Sequence, residues 1–184
     1  GAGKTTTIKA TLGLVRPDGG SIALFGEEVT GAPSKRLAEL KQRIGVVFDT
    51  CSFPDELSVE TVGKLMAQCY RSWNSAAFHT FAKAFELPLD KTVKDLSRGM
   101  GMKLSLICAL SHNPDLLVLD EATAGLDPLA REQALDALRL FMNEPKHAIF
   151  MSSHITSDLE KIADYIVCID RSEEHTSELQ SRQV

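Results

Sequence analysis

An α/β fold, with a mostly parallel sheet flanked by helices and a helical subdomain inserted into it, is what the hydrophobic pattern of this chain predicts. Three observations carry the prediction. Leu116-Leu117-Val118-Leu119 is an unbroken apolar run, the mark of a strand covered on both faces. Ile44–Phe48 and Ala148–Met151 repeat that pattern, with helical periodicity between them. Each run ends in polar residues, namely Asp49, Asp120-Glu121 and Ser152-Ser153-His154. In open α/β sheets the carboxyl edge of the strands is where the ligand crevice lies.

The chain begins with Gly1-Ala2-Gly3-Lys4-Thr5-Thr6, ahead of apolar residues at Ile8, Leu12 and Val15 spaced for a helix. This matches the second half of the phosphate-binding pattern G-x-x-x-x-G-K-S/T. Glycines let backbone N–H groups turn inward around phosphate oxygens, and the helix that follows adds its positive end. In that pattern Lys4 reaches the phosphates and the Thr5 hydroxyl sits on Mg²⁺. Such a loop follows a strand, so N-terminal strands are expected ahead of Gly1.

Arg16-Pro17-Asp18-Gly19-Gly20 is a turn rich in breakers. A short strand is expected over Ser21–Phe25, a second turn at Gly26-Glu27-Glu28, and a charged helix over Ser34–Arg43. Ser58 is placed to cap a helix with Val62, Leu65, Met66 and Cys69 on one face. Phe78, Phe81, Ala82 and Phe85 repeat the helical spacing and read as core packing. Leu96-Ser97-Arg98-Gly99-Met100 opens a helix that reaches Asn113-Pro114. Ser97 suits either an N-cap or a second phosphate-binding surface at a helix N-terminus. Asp127-Pro128 starts a helix with Leu135, Leu138 and Phe141 inward; a shorter helix spans Ile155–Ala163, and Ile166–Asp170 is a strand.

The adjacent carboxylates Asp120 and Glu121 divide naturally into two tasks: one can hold Mg²⁺ through water, and the other can act on a water molecule. The plainer alternative is a strand followed by an acidic helix cap. With the phosphate loop, Asp49 and His154 delivered to the same edge, the pattern is that of a catalytic crevice.

The length of 184 residues suits one domain with a sub-lobe. A net charge of −5 argues against non-specific nucleic-acid binding, which wants a basic surface. No run approaches the ~18 apolar residues of a membrane span, and no signal peptide is visible. The four cysteines, Cys51, Cys69, Cys108 and Cys168, show no C-x-x-C spacing and read as reduced thiols. Beyond Asp170 hydrophobic periodicity stops. The segment from Arg171 to Ser181 resembles the translation of a sequencing-library adapter, a reading on which Glu173, Glu174, His175 and Glu178 have no function.

Taken in order, these motifs resemble the nucleotide-binding subunit of ABC transporters, a P-loop NTPase of ABC ATPase type, from Gly1 to about Asp170. Gly1 to Thr6 is similar to the family's phosphate loop, and Leu96 to Met100 stands where its L-S-G-G-Q signature belongs. Leu117 to Glu121 resembles the metal-binding strand with the catalytic glutamate. Gly125-Leu126-Asp127 resembles the D-loop, and His154 the switch histidine. The resemblance implies a dimer, homo- or heteromeric, with ATP between the phosphate loop of one subunit and Ser97, Arg98, Gly99 and Met100 of the other. It implies that Glu121 polarises water, that His154 contacts the γ-phosphate, and that Thr5 and Asp120 hold Mg²⁺. A separate membrane permease is the implied partner, at the cytoplasmic face of a bacterial membrane, docking on the helical subdomain and the Asp49–Leu57 segment at its base.

Two residues depart from the family pattern. Arg98 replaces the first signature glycine and either adds charge or crowds the contact. Asp49 stands where a metal- and permease-sensing glutamine is usual, so a carboxylate takes that metal position. These departures resemble ABC-2-like exporter ATPases linked to peptide-antibiotic resistance. The competing reading is a non-transport ABC ATPase on ribosomes or DNA; the short insertion and the lack of basic heptads disfavour it. A P-loop kinase would leave Leu126-Asp127 and His154 without a task. The expected division is a partial ATP-binding core over 1–53, a helical subdomain over 54–96, the signature helix with the rest of the core over 97–170, and a non-native tail over 171–184.

Overall fold

The computed structural model describes residues 3–169 and the backbone of 174–178. The expected loop residues Gly1 and Ala2, together with Asp170–Glu173 and 179–184, lie outside the described residues.

Three parallel strands form the centre, in the order β3 (Ile44–Val47), β4 (Leu116–Asp120) and β5 (Ala148–Ser152). Val47 pairs with Leu119 and Leu119 with Met151, so the carboxyl ends of all three strands are level. Alternation along β4 divides the core. Leu117 and Leu119 join one apolar cluster and Val118 the other, all fully buried. Burying each of these side chains is worth about 1.5–3 kcal/mol, so the register of β4 is strongly specified.

On the Val118 face lie α1 (Lys4–Thr11) and α2 (Ser34–Lys41), which contribute Ile8 and Leu40, joined by Leu12 just past α1. Val15 lies past the end of α1 and is exposed, so the apolar stripe of that helix is shorter than expected. Between these helices is a hairpin of β1 (Ala23–Leu24) and β2 (Glu27–Glu28). The strand expected over Ser21–Phe25 is thus only two residues long, and Glu27-Glu28 is strand where a turn was expected. Phe25 and Gly26 both take positive φ, 54° and 79°, as a two-residue hairpin turn of the primed kind requires. α2 also stops short of Arg43, whose guanidinium sits 3.8 Å from the centre of the Phe25 ring.

On the other face, α5 (Arg98–Leu110) lies against β3. Nine of its thirteen residues are buried, because the inserted helices α3 (Val59–Cys69) and α4 (Ser75–Ala84) cover its far side. Ser58 caps α3 by accepting from Thr61 N, and Asn74 caps α4 by accepting from Ala77 N. The face α3 buries is narrower than the expected stripe. Val59, Val62 and Gly63 are inward, whereas Leu65 and Cys69 are exposed. The Phe78 ring presses on Gly63 so closely that a Cβ there would meet it at 2.7 Å. The insertion shares one continuous core with α5, β3 and β4, to which α6 (Pro128–Phe141) adds Leu138 and Phe141.

After β5 comes α7 (Thr156–Ile162), one residue shorter at each end than expected. β6 (Tyr165–Ile169) pairs antiparallel with β7 (Glu174–Glu178), which falls inside the segment expected to be a tail. Between β5, β6 and α1 runs a groove of about 530 Å³, lined by Ile8, Phe150, Ile162 and Tyr165 among others. Among the described residues no helix is long and apolar enough to cross a membrane.

Candidate active site

Glu121 is the first residue past β4, and its backbone has a φ of 53°, a left-handed conformation that non-glycine residues rarely adopt. Such strain costs on the order of 1–3 kcal/mol and persists where the surroundings hold it. Here the Glu121 N–H donates to Ser152 O at 3.0 Å, and Ala124 N–H donates back to Glu121 O at 3.1 Å. The result is a carboxylate turned away from the strand axis. Its Oε1 lies 3.8 Å from Lys4 Nζ, and its Oε2 lies 2.6 Å from His154 Nδ1 and 3.3 Å from the His154 backbone N–H. Three sequence-distant residues therefore meet at one point, as the carboxyl-edge pattern predicts.

Lys4 arrives there because Gly3 precedes α1 with φ 87°. No atom within 4 Å would meet a Cβ on Gly3, so the need for glycine is conformational rather than steric. Thr5 and Thr6 follow in the first turn of α1, both exposed to solvent.

Asp120 is buried at 1% exposure. Its Oδ1 accepts from Ser152 Oγ at 2.5 Å, whereas Oδ2 is buried with no hydrogen-bond partner. A buried carboxylate oxygen left unpaired is costly unless something else satisfies it. A hydrated Mg²⁺ fits that requirement, since this ion keeps most of its waters and takes few protein ligands. Among the described residues there is no group of three or more His, Cys, Asp and Glu side chains able to hold a metal. A site built from Asp120, the Thr5 hydroxyl and phosphate oxygens needs no such group. Asp49 lies past the end of β3 at the same carboxyl edge, and its side chain is exposed.

Ser97 is the N-cap of α5, accepting from Met100 N at 3.2 Å. This helix start packs on the turn after Glu121. A Cβ on Gly99 would meet Gly125 O at 3.2 Å, and a Cβ on Gly125 would meet Arg98 Nε at 3.1 Å. Arg98 therefore lies along Gly125 of its own chain. Met100 and Leu126 are both partly buried against the large core. Asp127 caps α6 by accepting from Ala130 N at 2.9 Å, a bond that holds its carboxyl below the usual range. Lys4, Glu121 and His154 are thus brought together, while the side chain of Asp120 bonds Ser152. The signature group, Ser97 to Met100, meets Gly125 through Arg98 and Gly99.

Sequence reasoning placed Ser152 at the carboxyl edge but gave it no task, whereas it bonds both Asp120 and the Glu121 backbone. Missed altogether was a buried cluster of Thr123, Arg131 and Asp158. The available signal was an acid at Asp158 on the same helical stripe as Ile155 and Ile162.

A cavity of about 180 Å³ opens on the insertion side, lined by Phe48, Phe53, Met66, Tyr70 and His112 among others. His112 stacks on Tyr70 with ring centres 3.9 Å apart, and burial depresses its basicity.

The family profile described as ABC transporter matches residues 1–124. The Nod factor export ATP-binding protein I of Burkholderia lata is 39% identical over 178 residues, covering 92% of this chain and 56% of that protein. The bacitracin transport ATP-binding protein of Bacillus licheniformis is 34% identical over 168 residues, covering 90% of this chain and 54% of that protein. The chain thus spans little more than half the length of these relatives. Among solved structures, an ATP-binding subunit of an ABC transporter superposes with a TM-score of 0.81 at 29% identity, covering 97% of this chain and 75% of the other. A dimeric bacterial ABC transporter cassette superposes with a TM-score of 0.86 at 19% identity, covering 97% and 82%, which speaks for the fold alone.

Proposed function

From the premise that this chain belongs to the ABC transporter ATP-binding family, we propose that it binds and hydrolyses ATP to power a bacterial membrane exporter. The observation that carries the reading is the convergence of Lys4 and His154 on Glu121 at the carboxyl edge of β4. Lys4 and the N–H groups at the start of α1 bind the phosphates. Glu121 takes a proton from the attacking water, and His154 steadies the charge that develops on the terminal phosphate. Thr5 and Asp120 hold Mg²⁺, with Asp49 a further candidate; when bound, the metal neutralises phosphate charge. Glu121 can serve as base only when its oxygens are released, so substrate phosphates that draw Lys4 and His154 away also expose the carboxylate. Ser97 and Gly99 complete the site across a dimer with a second ATPase subunit, Arg98 and Met100 flanking the contact. Gly125, Leu126 and Asp127 join the two half-sites.

The exporter role rests on relatives whose names specify export of Nod factors and transport of bacitracin. A permease is the expected partner, and the Phe48–Phe53 cavity beside α3 is the surface offered to it. The cytoplasmic membrane face is the corresponding location. The test is ATP-dependent dimerisation of the full-length protein by light scattering, together with phosphate release. Monomers at saturating ATP and Mg²⁺ with no phosphate release would reject the reading.

A further inference from the structure

Asp158 is a buried carboxylate to which the mechanism above gives no task. It lies on α7 at 1% exposure, yet its two oxygens are fully engaged. Thr123 Oγ1 donates to Oδ2 at 2.7 Å, and Arg131 Nε stands 2.9 Å from Oδ1 and 3.0 Å from Oδ2. Arg131 Nη2 adds a contact at 2.7 Å to Oδ1. Three elements are joined at this point: α7, the turn that follows Glu121, and the start of α6. The exposed Lys161–Glu132 pair also links α6 and α7, but solvent screens it. The buried charge is the contact that a displacement would disrupt.

The geometry gives this cluster a second meaning. Ser152 precedes His154 by two residues, and Asp158 follows it by four. Ser152 is tied to Asp120 and to the Glu121 backbone. Asp158 is tied to Thr123, two residues past Glu121. The segment carrying His154 is therefore fastened to the segment carrying Glu121 at both ends. Within it, Ile155 N–H donates to Ser153 Oγ at 3.0 Å, and Asp158 N–H donates to Ile155 O at 3.1 Å, so little slack remains between the anchor and the ring. Arg131 N–H in turn donates to Asp127 O at 2.8 Å, which extends the tie to the far end of the Gly125–Asp127 turn.

We propose that Asp158 is a positioning residue that fixes His154 relative to Glu121, using Thr123 and Arg131 as its anchors. The inference rests on the ATPase reading above. It assigns Asp158 no contact with nucleotide; it acts through His154 alone. Partners of this kind change turnover by about 10–100-fold when removed.

The test compares Asp158→Asn and Thr123→Val in the full-length protein, each in wild-type and His154→Ala backgrounds, with active protein counted by ATP-binding stoichiometry. Asp158→Asn is expected to lower kcat about 10-fold or more with KM for ATP within about 3-fold. In the His154→Ala background the same change is expected to lower kcat less than about 2-fold further. Thr123→Val keeps the Asp158–Arg131 pair and volume, so it reports even where Asp158→Asn does not fold. It is expected to reproduce the kcat loss in weaker form, and Thr123→Ser to restore it. An undiminished kcat in both variants, or an equal fold-loss with and without His154, overturns the proposal, because a merely structural role would multiply independently of His154. If Glu121→Gln and His154→Ala both leave hydrolysis intact, the ATPase reading itself fails and takes the inference with it.

Discussion

His154 holds Glu121 twice through one oxygen: its ring Nδ1 lies 2.6 Å from Glu121 Oε2, and its backbone N–H lies 3.3 Å from the same atom. With Lys4 Nζ 3.8 Å from the other oxygen, each oxygen of this carboxylate has a basic neighbour. The oxygen proposed to accept a proton from water is thus in use, and substrate must release it.

Glu121→Gln keeps the shape of this arrangement and removes the base. Turnover is expected to fall by on the order of 10²-fold or more, with ATP binding retained and the dimer trapped. Phosphate release and nucleotide binding measured on the same sample decide it. Normal turnover would reject the assigned role.

Asp120 Oδ2, buried and without a protein partner, is the position assigned to the metal's hydration shell. Asp120→Asn is expected to raise the Mg²⁺ concentration for half-maximal hydrolysis by about 10–100-fold. Ser152→Ala, which frees Oδ1 of its hydroxyl donor, should act in the same direction but less. Chelation of Mg²⁺ should abolish hydrolysis in every variant.

Phe53 is partly buried beside the 180 Å³ cavity and lies away from the Lys4–Glu121–His154 cluster. Phe53→Asp is expected to abolish permease-stimulated hydrolysis and transport while basal hydrolysis stays within about 2-fold. Transport at the wild-type rate would remove this face from consideration.

Two glycines should differ in what an added methyl costs. At Gly63 it meets a side chain alone, the Phe78 ring, and alanine also favours helix by about 1 kcal/mol. At Gly45 it meets Ala109 O at 2.8 Å and Leu117 Cδ2 at 2.6 Å, between a strand and the backbone of α5. Gly45→Ala is expected to destabilise by about 3 kcal/mol and Gly63→Ala by about 1 kcal/mol or less, read from urea unfolding. The reverse order would mean that α5 yields more readily than its burial implies.

Stability in the insertion should depend on pH through His79 and Glu60, whose side chains meet at 3.0 Å between α4 and α3. The hydrogen bond that His79 donates to Glu60 raises the His79 pKa above its ordinary 6.5, and the same bond lowers the Glu60 pKa below 4.5. The raised histidine contributes stability fully below pH 6.5 and loses it as pH rises through the shifted value. The depressed glutamate contributes above pH 4.5 and loses it as pH falls through its own. Thermal midpoints of wild type and His79→Ala should therefore differ most between pH 4.5 and 6.5 and converge as pH rises through the shifted His79 value. The difference is small, because both groups are screened by solvent. A gap that widens towards pH 8 would contradict the assignment.

The parallel strands and the helix caps at Ser58, Ser97 and Asp127 were legible because each rests on local chemistry: an unbroken apolar run, or an oxygen three residues before an orphan N–H. The grouping of Lys4, Glu121 and His154 was legible because the carboxyl-edge rule is geometric and all three follow strands or loops that must end there. The two-residue hairpin was not, since its turn depends on positive φ at Phe25, which no propensity favours. Leu65 and Val15 misled because a hydrophobic residue at helical spacing need not be covered. Asp158 escaped for the converse reason: an acid on a short helix reads as surface until Thr123 and Arg131, distant in sequence, close over it.

The thirteen residues of α5 form a rod of roughly 20 Å. Its C-terminal half is wedged between β3 and α4, and its N-terminal turn touches Cys51, where a Cβ on Gly101 would come within 2.9 Å. The start of the helix is held as well, since Arg98 and Gly99 pack on Gly125. The half of the rod ahead of the wedge is about 10 Å long, so a tilt of about 10° there moves Ser97 through roughly 2 Å. A displacement at Cys51 would therefore reach Ser97, four residues ahead of Gly101, and with it the contact to Gly125.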